Sequence, residues 1–150
     1  MNTWRDDTSQ LVQDDVDGLI DAALPFALEQ LRRRGAFVPY AITIDHDGAE
    51  RMHFTEPPTD EEIVLGSDAV AHYDAIFREL REEIRAAALV IDIWMDDGVD
   101  GEYTDAVRCR IEHEEGLAIE VIQPYRLRRF KRPPLLGEGF GEEGERLIWG

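Results

Sequence analysis

Apolar side chains at Val70, Tyr73, Phe77, Leu80, Ile84 and Ala87 recur at steps of 3, 4, 3, 4 and 3 residues, and from Ala88 onward the period falls to two. The first spacing keeps one side of a helix apolar and the second keeps one face of a strand apolar. A chain that contains both belongs with mixed α and β architectures, and the order of its segments selects among them.

The stripe predicts a helix over 67–87. Ser67 is its N-cap, Asp68 sits in the first turn, and Arg78, Glu79, Arg81, Glu82, Glu83 and Arg85 take the wet side. Upstream, Ile20, Leu24, Ala27, Leu28 and Leu31 predict another helix. Asp17 is a plausible cap, Pro25 implies a kink or a later start, Arg32, Arg33 and Arg34 lie at the negative end, and Gly35 lies just beyond it. Residues 1–15, with Asp6, Asp7, Asp14 and Asp15, read as a loose arm.

The strand pattern starts at 36–45, where Val38, Tyr40, Ile42 and Ile44 share a face and Pro39 marks an edge or a late start. An Asp47-Gly48 turn returns the chain through 49–54, and TEPPTDEE at 55–62 is a connector. Residues 88–95 are apolar on both faces except at Asp92, as in a central strand. Strands at 103–113 and 117–128 complete an αββαβββ order. The expected fold is one α+β domain over 1–150: a mainly antiparallel five-stranded sheet with two helices packed on one face. The Pro/Gly-rich tail 133–150 carries Phe140, Leu147, Ile148 and Trp149 and is expected to pack back.

Charge narrows the partners. Among 150 residues, 33 acids face 16 bases, a formal net charge of −17. That balance opposes nucleic acid and anionic membrane. It permits a basic partner or DNA mimicry, and it fits more simply a GC-rich genome or a saline cytoplasm, since Lys131 is the one lysine and the other bases are arginine. The single Cys109 forms no intramolecular disulfide and no thiolate-rich metal site. No apolar run reaches the ~20 residues of a membrane span. The first residues lack a signal-peptide pattern, so a cytoplasmic location is expected.

Motifs for chemistry are weak. Gly139-Phe-Gly-Glu-Glu-Gly144 matches GxGxxG, but Arg132-Pro133-Pro134 precede it where a dinucleotide site needs a core strand. The acidic loop 96–102 places Asp96, Asp100 and Gly101 as a calcium loop would, yet Gly98 and Val107 occupy two ligand positions. His46, His53, His72 and His113 have no metal spacing and read as surface or boundary residues; Ser9 and Ser67 lie in no nucleophile elbow. Cys109 reads as a small buried hydrophobe. No catalytic, metal or cofactor-binding residue and no cofactor is assigned.

Gly35-Ala-Phe-Val-Pro-Tyr40, the Asp47-Gly48 turn and Pro124-Tyr125-Arg126 resemble a group of small bacterial hypothetical proteins with a Gly-x-Phe-x-Pro-Phe/Tyr segment, an Asp-Gly hairpin and a late Pro-Tyr-Arg segment. The likeness spans roughly residues 20–130 and implies a shared framework without a known activity. The element order also resembles small secretion-chaperone and immunity-type proteins. Element order does not fix function.

The reading that follows is a non-enzymatic protein-interaction module whose partner is another protein or a second copy, with no nucleic acid and no membrane. Its candidate interaction residues are Trp94, Arg108 and Arg110 on an outer sheet face and Arg126, Arg128, Arg129 and Lys131 on the last strand. For the latter, the simple roles are edge protection and docking of carboxylates, from Glu138, Glu142, Glu143 and Glu145 of the tail or from a second copy. The alternatives are a small-molecule binder or enzyme using a groove around Asp92, and an acidic immunity-type or DNA-mimic protein.

Overall fold

The computed structural model describes residues 4–54, 66–94 and 103–150; the 55–62 connector, the acidic loop 96–102 and the side chains of Ser67 and Asp68 lie outside what is described. After a 3-10 turn at Trp4–Asp7, helix α1 runs Gln10–Arg34. The expected arm at 1–15 is therefore helical from Gln10. Ser9 is the cap instead of Asp17: its hydroxyl accepts the Val12 amide at 3.3 Å, while Asp17 pairs with Arg5 at 2.5 Å. Pro25 lies inside the helix. It is exposed, and so is Asp21, whose carbonyl the proline leaves to water. Gly35 closes the helix at φ 75°, its amide donating to the Leu31 carbonyl at 2.9 Å.

The remaining elements are β1 (Tyr40–Asp45), β2 (Glu50–Phe54), α2 (Gly66–Leu80), β3 (Ile84–Trp94), β4 (Asp105–His113), β5 (Ala118–Arg126), β6 (Leu135–Leu136) and β7 (Phe140–Glu143). The sheet is antiparallel, in the order β2-β1-β3-β4-β5, with both β6 and β7 on the far side of β5. It has seven strands instead of five because the tail supplies two. GxGxxG thus falls mostly in β7, an exposed strand that opens no helix.

Helix α2 ends at Leu80, not at 87, because Ile84 is claimed by pairing with β1 and Ala86–Ala88 by pairing with both β1 and β4. Ile84 and Ala87 still join the α2 cluster, from the strand side. The two helices lie on opposite faces, which corrects the one-face expectation. Val12, Val16, Leu19, Ala23, Ala27 and Leu31 of α1 pack with Tyr40, Ile42, Ala88, Val90, Val107 and Cys109. Tyr73 and Phe77 of α2 pack with Ala41, Ala87, Leu89 and Ile148. Alternation along β1 and β3 sends adjacent apolar residues to opposite sides, so each side needs a cover. Among the described residues no helix is long and apolar enough to cross a membrane.

Candidate functional site

The predicted interaction residues fall into three places. Trp94, 68% exposed, follows Val90 and Asp92 on the α1 side of β3. Arg108 and Arg110 alternate with Val107 and Cys109 and so face the α2 side. They are also neutralised: Arg108 pairs with Glu120 and Arg110 with Asp74 of α2. Trp94, Arg108 and Arg110 therefore form no common face.

The basic residues of the last strand do converge. Beyond β5, the 127–134 loop returns past the end of α1: a Cβ added at Gly35 would lie 3.8 Å from Leu127 Cδ1, and the Arg32 guanidinium donates to the Lys131 carbonyl at 3.3 Å. Arg32, Arg33 and Arg34 thereby join Arg126, Arg128, Arg129, Lys131 and Arg132, eight of the chain's 16 bases. Arg32 is balanced by Glu29, and Arg126 lies over the Tyr103 ring at 5.4 Å. No side-chain carboxylate forms an ion pair with Arg33, Arg34, Arg128, Arg129, Lys131 or Arg132 among the described residues. Neither edge protection nor pairing with Glu142 and Glu143 holds for this cluster. β5 is not an edge, since β6 and β7 cover it. Glu142 and Glu143 sit in β7 against Ile119 and Glu120, away from the loop.

A second feature is a cavity of about 520 Å³ beside the β1–β2 hairpin, lined by Thr43, Asp45, His46, Arg51, His53 and Glu83 among others. That size suits a small molecule. Period-two alternation in β1 and β2 turns Thr43, Arg51 and His53 to the α2 side, over Leu80 and Ile84. Thr43 Oγ1 and His53 Nε2 are 2.8 Å apart, and Arg51 pairs with Asp45 at 3.2 Å. No third group orients His53 Nδ1 in the described hydrogen bonds, so the pair lacks the orienting member of a nucleophile-base-carboxylate relay. Burial first, and then Arg51, lowers the pKa of His53 below its ordinary 6.5; Asp45 opposes this. The sign follows from the unfolded chain, which takes up a proton near pH ~6.5 that the folded chain refuses. Stability contributed by this group is complete above pH ~6.5 and declines with acidification until His53 itself protonates. His53→Gln is expected to flatten that limb of a stability-against-pH curve measured by thermal melts.

The chain matches no family model, no curated protein and no solved structure. Its functional reading therefore rests on its own geometry. The segments that carry the resemblance hold the framework: Tyr40 donates its hydroxyl to the Ala23 carbonyl at 2.5 Å, and Tyr125 donates to Asp92 Oδ1 at 2.8 Å. Asp92 lies at the exposed end of β3 and lines neither the hairpin cavity nor the polar cleft at Arg108. Partial desolvation of its carboxyl raises its pKa; the Tyr125 hydrogen bond opposes this, and Asp105 adds to it. Burial pushes the Cys109 thiol up to about 12, which leaves no thiolate to react.

Two buried ionic sites escaped the sequence reading. Arg85 grips Asp15 with Nε and Nη2 at 2.9 Å each, and His113 Nε2 lies 2.8 Å from Asp15 Oδ2. The Glu115 amide donates to His113 Nδ1 at 3.2 Å, so the ring proton is on Nε2 and points at Asp15. His113 is fully buried, which corrects its boundary assignment. Glu112, 4% exposed, accepts the amides of Leu147, Ile148 and Trp149.

Proposed function

We propose that the protein is an interaction module that docks a short acidic segment of another protein on its basic end. The observation that supports this is the gathering of eight of sixteen bases, from two segments about a hundred residues apart, in a chain of net charge −17. Arg32, Arg33 and Arg34 alone have a local explanation at the negative end of α1. Arg129, Lys131 and Arg132 have none, being outside any helix and exposed. Arg33, Arg34, Arg128, Arg129, Lys131 and Arg132, like charges with no ion-paired carboxylate among the described residues, cost stability that an anionic partner offsets.

The size of the island selects a short segment. The eight bases leave 33 acids and 8 bases elsewhere, a net of −25. A duplex or a bilayer would extend into that field, whereas a few carboxylates can stay within the ~8–10 Å over which charges interact at ordinary salt. Binding of a labelled oligoglutamate peptide, followed by fluorescence anisotropy at ~0.1 M and ~1 M salt, tests the reading. Micromolar affinity at the lower salt, lost at the higher and lost in Arg129→Glu/Lys131→Glu/Arg132→Glu, is expected. No binding by the parent chain, or equal binding by the triple variant, would sink it.

A further inference from the structure

Within this basic island we infer that Phe130 is a preformed apolar anchor, so that the acidic segment recognised there carries aliphatic or aromatic side chains between its carboxylates; this rests on the docking reading above. Phe130 is 91% exposed, more than any other large apolar residue described. Exposure alone is common and means little. The backbone beneath it is not common. Phe130 and Lys131 both hold left-handed φ, 62° and 53°, a region that non-glycine residues rarely occupy and bulky ones more rarely still.

That turn is bonded both from α1 and from within its own loop. The Arg32 guanidinium donates to the Lys131 carbonyl at 3.3 Å, and Arg128 Nε donates to the Pro133 carbonyl at 2.7 Å. Two cations of the island are thus used to fix the turn that lifts Phe130 from the surface. Nothing in the fold uses the ring in return: it belongs to neither core cluster and stacks on no ring among the described residues. Strain kept at an exposed position with no packing return is a mark of a site that acts on something else. A ring on a fixed turn also loses little conformational freedom when it binds, which favours its use as an anchor. Arg129 and Lys131 flank it in sequence, so a partner contacting the ring meets cations on either side.

The test uses two synthetic peptides of equal length, one of Glu-Glu-Leu repeats and one of Glu-Glu-Ser repeats, against the full chain by anisotropy. The parent chain is expected to prefer the leucine peptide by about tenfold, the scale of burying one such side chain. Phe130→Ser, whose melting temperature should match the parent's, is expected to bind both peptides equally and to keep its affinity for the serine peptide within about twofold. An undiminished preference in Phe130→Ser overturns the anchor and leaves the docking reading standing. Failure of the parent to bind either peptide overturns both. Tighter binding to a single-stranded oligonucleotide or to phosphatidylserine vesicles than to the leucine peptide overturns the acidic protein segment as partner.

Discussion

Asp15→Ala is expected to remove about 3–5 kcal/mol of folding stability, the range found when one member of a buried ion pair is deleted. Asp15 is 6% exposed and receives both Nε and Nη2 of Arg85 and the Nε2 proton of His113. Its loss leaves a guanidinium with one remaining bond, to the His46 carbonyl at 3.1 Å, and a fully buried imidazole N–H with none. The three residues come from α1, β3 and β4, so the cost falls on the docking of the helix onto the sheet. Asp15→Leu combined with Arg85→Met removes the stranded charge and should recover part of the loss, though His113 stays unpaired. Denaturant melts with an unchanged m value measure both. A loss below about 1 kcal/mol for Asp15→Ala would show that water reaches the site and that the network does not hold α1.

The same residue shows where sequence reading loses sight of the fold. Asp15 stands in the run Gln13-Asp14-Asp15, which has the composition of a solvated arm. Yet Val12, Val16 and Leu19 already step 4 and 3 residues, and the buried side of α1 begins there. Composition outweighed a periodicity that was present. The opposite-face placement of the helices was also written in the chain. Residues 86–91, Ala-Ala-Leu-Val-Ile preceded by a further alanine, are apolar on consecutive positions, and a strand apolar on both faces needs cover on both. The αββαβββ order, from which one covered face is expected, says nothing about sides.

The site was legible in part. Five bases in seven residues at 126–132 are visible to any reader, and so is the triplet Arg32–Arg34. Their union is not, because it depends on the loop after β5 crossing the end of α1, a contact about a hundred residues apart in sequence. Phe130 carries no sequence signal either: its left-handed φ falls in a turn whose Lys131 carbonyl is bonded by Arg32, a partner about a hundred residues away that no local motif announces. Arg108 and Arg110 show the reverse error. They alternate cleanly as wet-face residues, and the structure covers that face with α2 and the tail, turning two apparent docking cations into ion pairs.

Glu112→Ala is expected to cost about 2–4 kcal/mol, by a route that distinguishes it from Asp15. Four contacts of 2.6–3.0 Å join its two carboxylate oxygens to three successive amides, at Leu147, Ile148 and Trp149. Hydrogen bonds to a charged acceptor contribute roughly 1.5–3 kcal/mol each, but the sum has a ceiling. Once the carboxylate is gone, the tail can leave and let water take its amides. The loss then stops at what docking the tail contributes, chiefly the burial of Ile148 beside Leu89, Tyr73 and Phe77 and the Trp149 indole bond to the Arg81 carbonyl at 3.3 Å. Glu112→Gln should fare little better, because its amide NH₂ would turn a donor toward backbone donors. Two measurements separate this latch from a general loss of packing. Amide exchange should accelerate at 147–149 in Glu112→Ala while β3 and β4 stay protected. In a chain shortened to remove 145–150, Glu112→Ala should cost less than about 0.5 kcal/mol, since nothing remains for the carboxylate to hold. A full cost persisting in the shortened chain would place the stabilising role of Glu112 inside the sheet and not in the tail.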